Sequence, residues 1–318
     1  MDTRNLPILD CHQHFYDSRR LRYPVFEGRS LGFEELVGDY SAMPRVYLPQ
    51  DYAKDIEGLN VVQTVWAEFL SVDPMGEVKW AEELAQPGAW PNGMIAQVDF
   101  LGDRVEQVLN DYAAMPHVRC VRGHLGWHPT NPLLRFAARP GLLLDDAWRR
   151  GVAKLRPFGL VCEIEIFSSQ LTEFASLVAA NADIQFVLPV MGWPIDLSKE
   201  GELQWRSALE RVSVCPNVAL KIFGMECIFG LDWTKEQVRP WILRAIEAFG
   251  PSRAMFASHL PIGKLSRSAR EIYEAYFEII DDFSMAEKRQ LLHDTAAAIY
   301  RLPVSAGVTG PVAPGRSA

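Results

Sequence analysis

Two histidines separated by one residue, His12 and His14, stand at the end of an apolar run that begins at Leu6. Side chains of an extended strand alternate between its two faces, so residues two apart point the same way and both imidazoles aim at one place. Paired imidazoles can ligate a divalent metal or polarise a carbonyl group, and a zinc-type site takes its remaining ligands from elsewhere in the chain. Two histidines on a strand can equally be half-buried polar residues, so the surrounding elements decide.

The surrounding chain alternates between strand-like and helix-like segments. Its eight short apolar runs are Ile8–Phe15, Val61–Phe69, Gly93–Phe100, Val118–Leu125, Leu160–Phe167, Ile184–Met191, Asn217–Gly224 and Arg253–Leu260. Segments of helical period between them are Met75–Gln86, Arg104–Met115, Asp145–Arg156, Gln170–Asn181, Leu203–Cys215 and Thr234–Phe249, and a last one follows at Met285–Tyr300. Eight such units predict an α/β fold, a (β/α)8 TIM barrel, rather than an open doubly wound sheet. No G-x-G-x-x-G follows the first strand, which weakens the dinucleotide-binding alternative.

The length of 318 residues and the hydrophobic content of 48% suit one large domain. We expect the barrel to occupy residues 1–304, with a long insertion at Tyr16–Asp55 between the first two strands. Long ordered connections in such barrels usually cover the active face, so the insertion is interpreted as a lid or rim, with a structural role or a substrate contact. Residues 305–318, rich in Gly, Pro, Ser and Ala, are predicted to be a disordered tail.

The composition limits the partners of this chain. A formal net charge of −8 without a basic run argues against nucleic acid and against anionic membrane surfaces, and favours a small-molecule substrate. The five cysteines lack motif spacing, and there is neither a signal-peptide pattern nor an apolar stretch long enough to span a membrane. We therefore expect free thiols and a cytoplasmic protein. A homo-oligomer is left open.

Polar residues near the carboxyl ends of the strands are the candidates for chemistry, because the active site of such a barrel lies at that end. We expect catalytic roles for His12, His14 and His259. A divalent metal (Zn or Mn) is left open, and His12 and His14 would hold it. The candidates for substrate binding are Arg122, His124, Glu68, Glu165, Lys221, Trp66 and Trp193.

Three of these residues carry specific expectations. His259 ends the last strand and can act as a general base, since a neutral imidazole accepts a proton near physiological pH. Arg122 and His124 share a face of their strand, and a guanidinium there suits a substrate carboxylate.

Two other positions leave alternatives open. Glu68 can be half of a buried ion pair with Arg122 or Lys221 instead of a catalytic group. Lys221 can point into the barrel mouth or toward the helix layer. Glu163 and Glu165 share a face, and Glu165 is the better placed of the two for substrate.

Several motifs resemble those of one family, the amidohydrolase-related (amidohydrolase 2) TIM-barrel hydrolases, particularly their sugar-lactone and pyrone-dicarboxylate lactonase branch. The matching motifs are Leu9-Asp10-Cys11-His12-Gln13-His14-Phe15, Tyr47-Leu48-Pro49, Val121-Arg122-Gly123, Asn217-Val218-Ala219-Leu220-Lys221 and Met255-Phe256-Ala257-Ser258. The resemblance implies a (β/α)8 barrel and hydrolysis of a lactone or related carboxylic ester. It also implies that strands 1, 6 and 8 carry the reacting centre.

The chain departs from this family pattern at three polar positions. A histidine near the end of strand 6 is replaced within Pro189-Val190-Met191-Gly192. The aspartate or asparagine that ends strand 8 is replaced by His259, and a histidine often found after strand 5 is matched by Ser169. Some lactonases of this branch work without metal, so the pattern predicts a divergent, metal-independent or altered metal site.

The resulting hypothesis is hydrolysis of a small carboxylated lactone or related ester. His259 would be the base, His12 and His14 would polarise the carbonyl, and Arg122 or Lys221 would hold a carboxylate. One alternative is a lyase, decarboxylase or isomerase on the same scaffold. Another is a non-catalytic ligand-binding barrel, suggested by the replaced family residues.

Overall fold

The structure, a computed structural model, describes residues 2–303. Its main sheet has eight parallel strands that neighbour one another in chain order. The strands are β1 Ile8–Gln13, β2 Val61–Ala67, β3 Gly93–Gln97, β4 Val118–His124, β5 Val161–Glu165, β6 Phe186–Leu188, β7 Val218–Ile222 and β8 Ala254–Phe256. The predicted (β/α)8 barrel is confirmed. The predicted tail, residues 305–318, lies outside the described residues.

Helices follow the strands and cover the barrel from outside. They are α1 Leu31–Val37, α2 Pro49–Asp55, α3 Pro74–Leu84, α4 Val105–Ala113, α5 Asp146–Ala153, α6 Leu171–Ala179, α7 Lys199–Ser213, α8 Met225–Phe229, α9 Lys235–Phe249, α10 Ala269–Ile279, α11 Met285–Arg289 and α12 Thr295–Ile299. The predicted last helix is one run interrupted by a π-helical turn at Gln290–Asp294. Helix α10 was not predicted, although Ser268 and Glu271 form a capping box at its start. Between residues 2 and 303, no helix is both long and apolar enough to cross a membrane.

The strands are shorter at their carboxyl ends than the apolar runs predicted. Strand β6, for example, ends at Leu188, because Val190, Met191, Gly192 and Trp193 all have positive φ, at 53°, 53°, 67° and 40°. A β-branched residue such as Val190 rarely adopts this conformation. The apolar residues beyond the strands therefore form loops over the barrel mouth instead of further strand.

Alternate residues of each strand fill the barrel interior, as the pleat requires. Strand β1 breaks this alternation near its end. Asp10 pairs with Thr64 of β2 and Gln13 pairs with Trp66, so β1 takes three residue steps where β2 takes two. Cys11 belongs to the interior cluster, and the next residue, His12, also faces the barrel mouth. Because of this bulge-like irregularity, the side chains of His12 and His14 both face the barrel mouth.

Backbone hydrogen bonds join the first strand to the segment after the last. The His259 amide donates to the His12 carbonyl over 2.9 Å, and the His14 amide donates to the Leu260 carbonyl over 2.8 Å. The buried Asp10 carboxylate reinforces this seam, because it accepts hydrogen bonds from the Ser258 amide (2.8 Å) and hydroxyl (2.5 Å). The same bonds that close the sheet bring the two histidine-bearing segments together.

The insertion between β1 and β2 is ordered. Two short strands, Tyr16–Asp17 and Val46–Tyr47, pair antiparallel at its base. Tyr16 stacks on Phe69, which follows β2, with ring centroids 4.5 Å apart. Helix α1 of the insertion lies at the barrel mouth, where the ring of its Phe33 is 6.2 Å from that of Phe69 between centroids.

A methyl group added at Gly151 tests how closely α5 packs on the loop after β3. It would lie 2.0 Å from the carbonyl oxygen of Phe100, so helix and loop would have to separate. We expect Gly151→Ala to lower the free energy of unfolding by roughly 1–3 kcal/mol. Gly28→Ala is the matched control, since no atom lies within 4 Å of its added methyl group, and it should change stability by less than about 0.5 kcal/mol. Urea unfolding of both variants measures this, and equal stabilities would contradict the packing described.

Candidate active site

A cavity of about 630 Å³ opens at the carboxyl ends of the strands. Ionisable side chains from five strands or the loops that follow them line its inner end: His12, His14, Glu68, Arg122, His124, Glu165 and His259. Apolar side chains of α1, of the loops after β2 and β3, and of the segment around Leu133 line its outer part. The insertion thus contributes to the cavity wall, as a rim.

The three candidate catalytic histidines lie together. The ring centroids of His12 and His14 are 5.0 Å apart, and each is 5.5 Å from the centroid of His259. One nitrogen from each ring lies within 4.8 Å of the others. Residues from opposite ends of the chain therefore share one site.

His14 has a defined tautomer. Its Nδ1 lies 2.9 Å from the Ala67 carbonyl oxygen, which only accepts hydrogen bonds, so Nδ1 carries the proton. Burial, with the nearby His259 and Arg122, holds the pKa of His14 well below its usual value. The other nitrogen, Nε2, is buried and has no hydrogen-bond partner among the described residues. Nε2 of His14 is therefore available to accept a hydrogen bond or to bind a metal ion, and its expected role in polarising the carbonyl stays a prediction.

His259 is paired with a carboxylate that the sequence interpretation missed. Its Nδ1 lies 2.5 Å from Oε1 of Glu226, which is in α8, just after β7. The His259 backbone has φ of 60°, a conformation that needs support from its surroundings. Glu226 fixes the ring with Nδ1 as donor and leaves Nε2 free to accept a proton. Glu226 lies four residues beyond the end of β7, and this position near a strand end is the feature of the sequence that could have identified it as a site residue.

His12 lies between two cations. Its Nδ1 is 3.2 Å from Nζ of Lys221, and its Nε2 is 3.4 Å from a guanidinium nitrogen of Arg122. Burial and these positive neighbours hold the pKa of His12 well below its usual value, so the ring is neutral. Phe223 stacks on it with ring centroids 4.2 Å apart.

Lys221 supports His12 and does not line the cavity. Its ammonium lies 2.5 Å from Glu163, and both side chains are fully buried below the cavity floor. Of the two directions left open for Lys221, the side chain takes the one toward the barrel interior, and its expected role in substrate binding stays a prediction. The indole of Trp66 packs in the outer layer and donates to the Phe15 carbonyl over 3.0 Å, and its expected contact with substrate stays a prediction.

Arg122, Glu68, His124 and Glu165 form one hydrogen-bonded group. Two guanidinium nitrogens of Arg122 contact Oε1 of Glu68, at 2.8 and 2.6 Å. His124 bridges the carboxylates, with Nε2 2.7 Å from Glu68 and Nδ1 3.1 Å from Glu165. Among residues 2–303, the third nitrogen of Arg122, Nη1, contacts His12 at 3.4 Å and lies more than 3.6 Å from the nearest carboxylate oxygens of Glu163 and Glu165. Nη1 is thus the cationic donor left for a ligand at the cavity floor.

The pKa values of this group indicate two cations and two anions. Burial alone would lower the pKa of His124, but the carboxylates of Glu165 and Glu68 raise it to about 9. Burial opposes ionisation of Glu68, yet Arg122 and His124 bring its pKa below the ordinary value. The pKa of Glu165 is lowered in the same way, chiefly by His124.

Trp193 and Val190 line the cavity from the loop after β6. Val190 stands in the segment where the family pattern carries a histidine, so this side of the floor is apolar. The expected wall position of Trp193 agrees with the cavity. Its role toward substrate stays a prediction.

The imidazole group fits a divalent metal ion. Nε2 of His14 is an orphaned buried acceptor, and His12 is neutral, as metal ligation requires. The backbone carbonyl on Nδ1 of His14 is the kind of outer partner that orients metal-binding imidazoles.

The raised pKa of His124 predicts a pH-dependent contribution to stability. The folded pKa of about 9 exceeds the ordinary value of 6.5, so the contribution is complete below pH 6.5 and is lost as pH rises through about 9. We expect the difference in unfolding free energy between the wild type and His124→Gln to shrink by up to about 3 kcal/mol between pH 6 and 9.5. Denaturant unfolding at both pH values measures it. A constant difference would contradict the imidazolium.

Comparison with known proteins places this site in a family. Residues 9–302 match the family described as Amidohydrolase (Amidohydro_2). The uncharacterized protein y4mH of Sinorhizobium fredii is 32% identical over 301 residues, covering 94% of this chain and 99% of that protein. L-fucono-1,5-lactonase of Burkholderia multivorans is 26% identical over 308 residues, covering 93% of this chain and 96% of that enzyme.

A solved structure shows the same fold. It is an amidohydrolase from Burkholderia multivorans with bound zinc, and it matches with a TM-score of 0.77 at 23% identity, over 93% of this chain and 99% of that one. The family match spans almost all described residues. The chain therefore belongs to the amidohydrolase family, with lactonase-like relatives, and is a hydrolase of the amidohydrolase superfamily.

Proposed function

We propose that this enzyme hydrolyses a small carboxylated lactone or related ester, and that the His259–Glu226 pair activates the water. The contact between Nδ1 of His259 and the Glu226 carboxylate, at 2.5 Å, is the observation that carries this proposal. An imidazole held by a carboxylate is oriented for proton transfer, and the carboxylate stabilises the imidazolium that forms. The lactonase activity of a relative from Burkholderia multivorans supports the reaction class.

The attacking water would sit between His14 and His259. Two acceptor nitrogens within 4.8 Å of each other can share one water molecule, whose hydrogen bonds are each about 2.8 Å long. The water donates one hydrogen to Nε2 of His14 and the other to Nε2 of His259. As its oxygen attacks the carbonyl carbon, His259 takes the second proton and later returns it to the leaving alkoxide.

The anionic parts of the substrate would face the other side of the floor. Nη1 of Arg122 holds the carboxylate, because the remaining nitrogens of the guanidinium are fixed by Glu68. The Lys221 ammonium lies 3.2 Å from Nδ1 of His12 and, with the stacked Phe223 ring, holds the imidazole beside the reacting carbonyl group. Lys221 is then a positioning residue.

His12 and His14 are the residues that would hold a divalent metal. Such an ion supplies Lewis acidity toward the carbonyl group and lowers the pKa of water. His259 and Glu226 keep their proton-transfer role at Nε2 in either case. We also propose a cytoplasmic location, which the five free cysteines support.

Replacing Glu226 tests whether its carboxylate assists the base, His259, without taking part in substrate binding. We expect Glu226→Gln to lower kcat about 100-fold or more with little change in KM, because the amide no longer stabilises the imidazolium. Cys227→Ser is the matched control: it changes the adjacent side chain, whose sulfur lies 3.9 Å from Glu226, and should keep kcat within about twofold. Steady-state kinetics on the best lactone measures both, and wild-type kcat in Glu226→Gln would remove the pair from the mechanism.

A lactone panel in ¹⁸O-labelled water tests the reaction itself. Hydrolysis places one labelled oxygen in the product acid, whereas a lyase, decarboxylase or isomerase reaction places none. We expect His259→Asn to lose turnover by about 100-fold or more and to keep product binding, measured as a rise in Tm. Asparagine tolerates the positive φ at this position better than most residues, so the variant should fold. Unlabelled product, or full activity of His259→Asn, would contradict the proposal.

A further inference from the structure

The cavity is divided into a charged inner end and an apolar outer part. The ionisable side chains that line the cavity lie at the floor, next to the reacting centre, with the exception of Asp99 in the outer part. Beyond them the wall is formed by the apolar side chains Phe33, Leu36, Leu70, Leu101, Leu133 and Phe136. A substrate with its carbonyl at the floor must therefore place the rest of its body against hydrocarbon.

The outer part has few polar groups, and two of them already accept hydrogen bonds from the backbone. The Ser30 hydroxyl accepts a hydrogen bond from the Phe33 amide at the start of α1, and the Asp99 carboxylate accepts one from the Leu101 amide over 2.9 Å. Gln97 remains as one amide near the floor. The hydroxyl groups of a sugar lactone would lose water there and find few replacements, which is unfavourable.

The charges at the floor limit the substrate to one carboxylate. Arg122 offers Nη1, while both ring nitrogens of His124 are occupied by carboxylates. Lys221 lies below the floor, paired with Glu163. A second carboxylate of a substrate would meet Glu68 and Glu165 instead of a free cation.

The apolar wall continues to the mouth of the cavity. Leu70, Leu101 and Leu133 line the cavity and yet remain 45%, 41% and 41% exposed. Burial of such side chains by a ligand is favourable in proportion to the area removed from water. These leucines form a strip that a small substrate would not reach and that an extended apolar substituent would cover.

We infer that the substrate is a lactone or ester that bears a bulky apolar substituent, an alkyl chain or a fused aromatic ring, with at most one carboxylate and without a polyhydroxylated body. This inference names the substrate class of the proposed function and rests on it for the reaction. Leu70, Leu101 and Leu133 are the specificity-determining residues at the rim. The preference acts through burial of hydrocarbon, independently of the proton-transfer groups.

A homologous substrate series tests the inference. The probes are δ-valerolactone, δ-hexalactone, δ-octalactone, the benzo-fused dihydrocoumarin and D-glucono-1,5-lactone. We expect kcat/KM to rise about fourfold for each added methylene, or about sixtyfold from δ-valerolactone to δ-octalactone, with D-glucono-1,5-lactone below both alkyl lactones. A flat or falling series with faster turnover of D-glucono-1,5-lactone would overturn the inference and leave the hydrolase proposal standing.

Two leucine variants locate the effect. Leu133→Asn should lower the ratio of kcat/KM for δ-octalactone to that for δ-valerolactone by about tenfold. Leu203→Asn is the matched control, because Leu203 is 60% exposed on α7 and does not line the cavity, and the ratio should stay at the wild-type value. Equal ratios in the wild type and both variants would contradict the role of the rim, and Tm confirms that each variant is folded.

A binding measurement separates failure of the inference from failure of the proposed reaction. If no lactone or ester is hydrolysed, the reaction proposal fails. In that case 5-hydroxyoctanoate raising Tm more than gluconate does would still support the apolar ligand class. Gluconate raising Tm more, or neither ligand raising it, would overturn the class as well.

Discussion

Closure of the sheet between its first and last strands is the constraint on which the rest of the structure depends. The two backbone hydrogen bonds at this seam involve His12, His14 and His259 themselves, so barrel closure and assembly of the imidazole group are one event. The buried Asp10 carboxylate, bonded to Ser258 and to the Tyr52 hydroxyl at 2.7 Å, fixes the seam from outside the barrel. A barrel of eight strands has no free edge, and its two ends must meet in one register.

The same closed mouth concentrates charged side chains that are buried or nearly so. Glu163 is paired with Lys221, and Glu226 with His259. Glu68 shares Arg122 and His124, and His124 also bonds Glu165. Burying an ion is unfavourable unless it is paired, and removing one partner leaves the other as an unpaired buried charge. The network therefore fixes side-chain geometry at the floor. It leaves Nη1 of Arg122 and the Nε2 atoms of His14 and His259 for a ligand.

Two of the three departures from the family pattern line the cavity. Val190 places a methyl-bearing side chain in the segment where the pattern has a histidine, and His259 brings an imidazole where the pattern has a carboxylate. Glu226 supplies a carboxylate next to this imidazole, 2.5 Å from Nδ1 of His259. The carboxylate therefore lies behind the imidazole of His259 instead of at the reacting centre. From there it orients the imidazole, as the proposed mechanism requires.

The sequence by itself determined the eight strand–helix units and the position of Arg122 and His124 on one face, because these follow from periodicity within single elements. It also placed His259 at the end of the last strand. Only the tertiary structure decided that Lys221 supports His12 from below, that Trp66 packs outside the barrel, and that Glu226 partners His259. These contacts join residues far apart in the chain, and their geometry depends on barrel register, on the irregularity near Cys11 and on loop conformation, none of which local periodicity encodes.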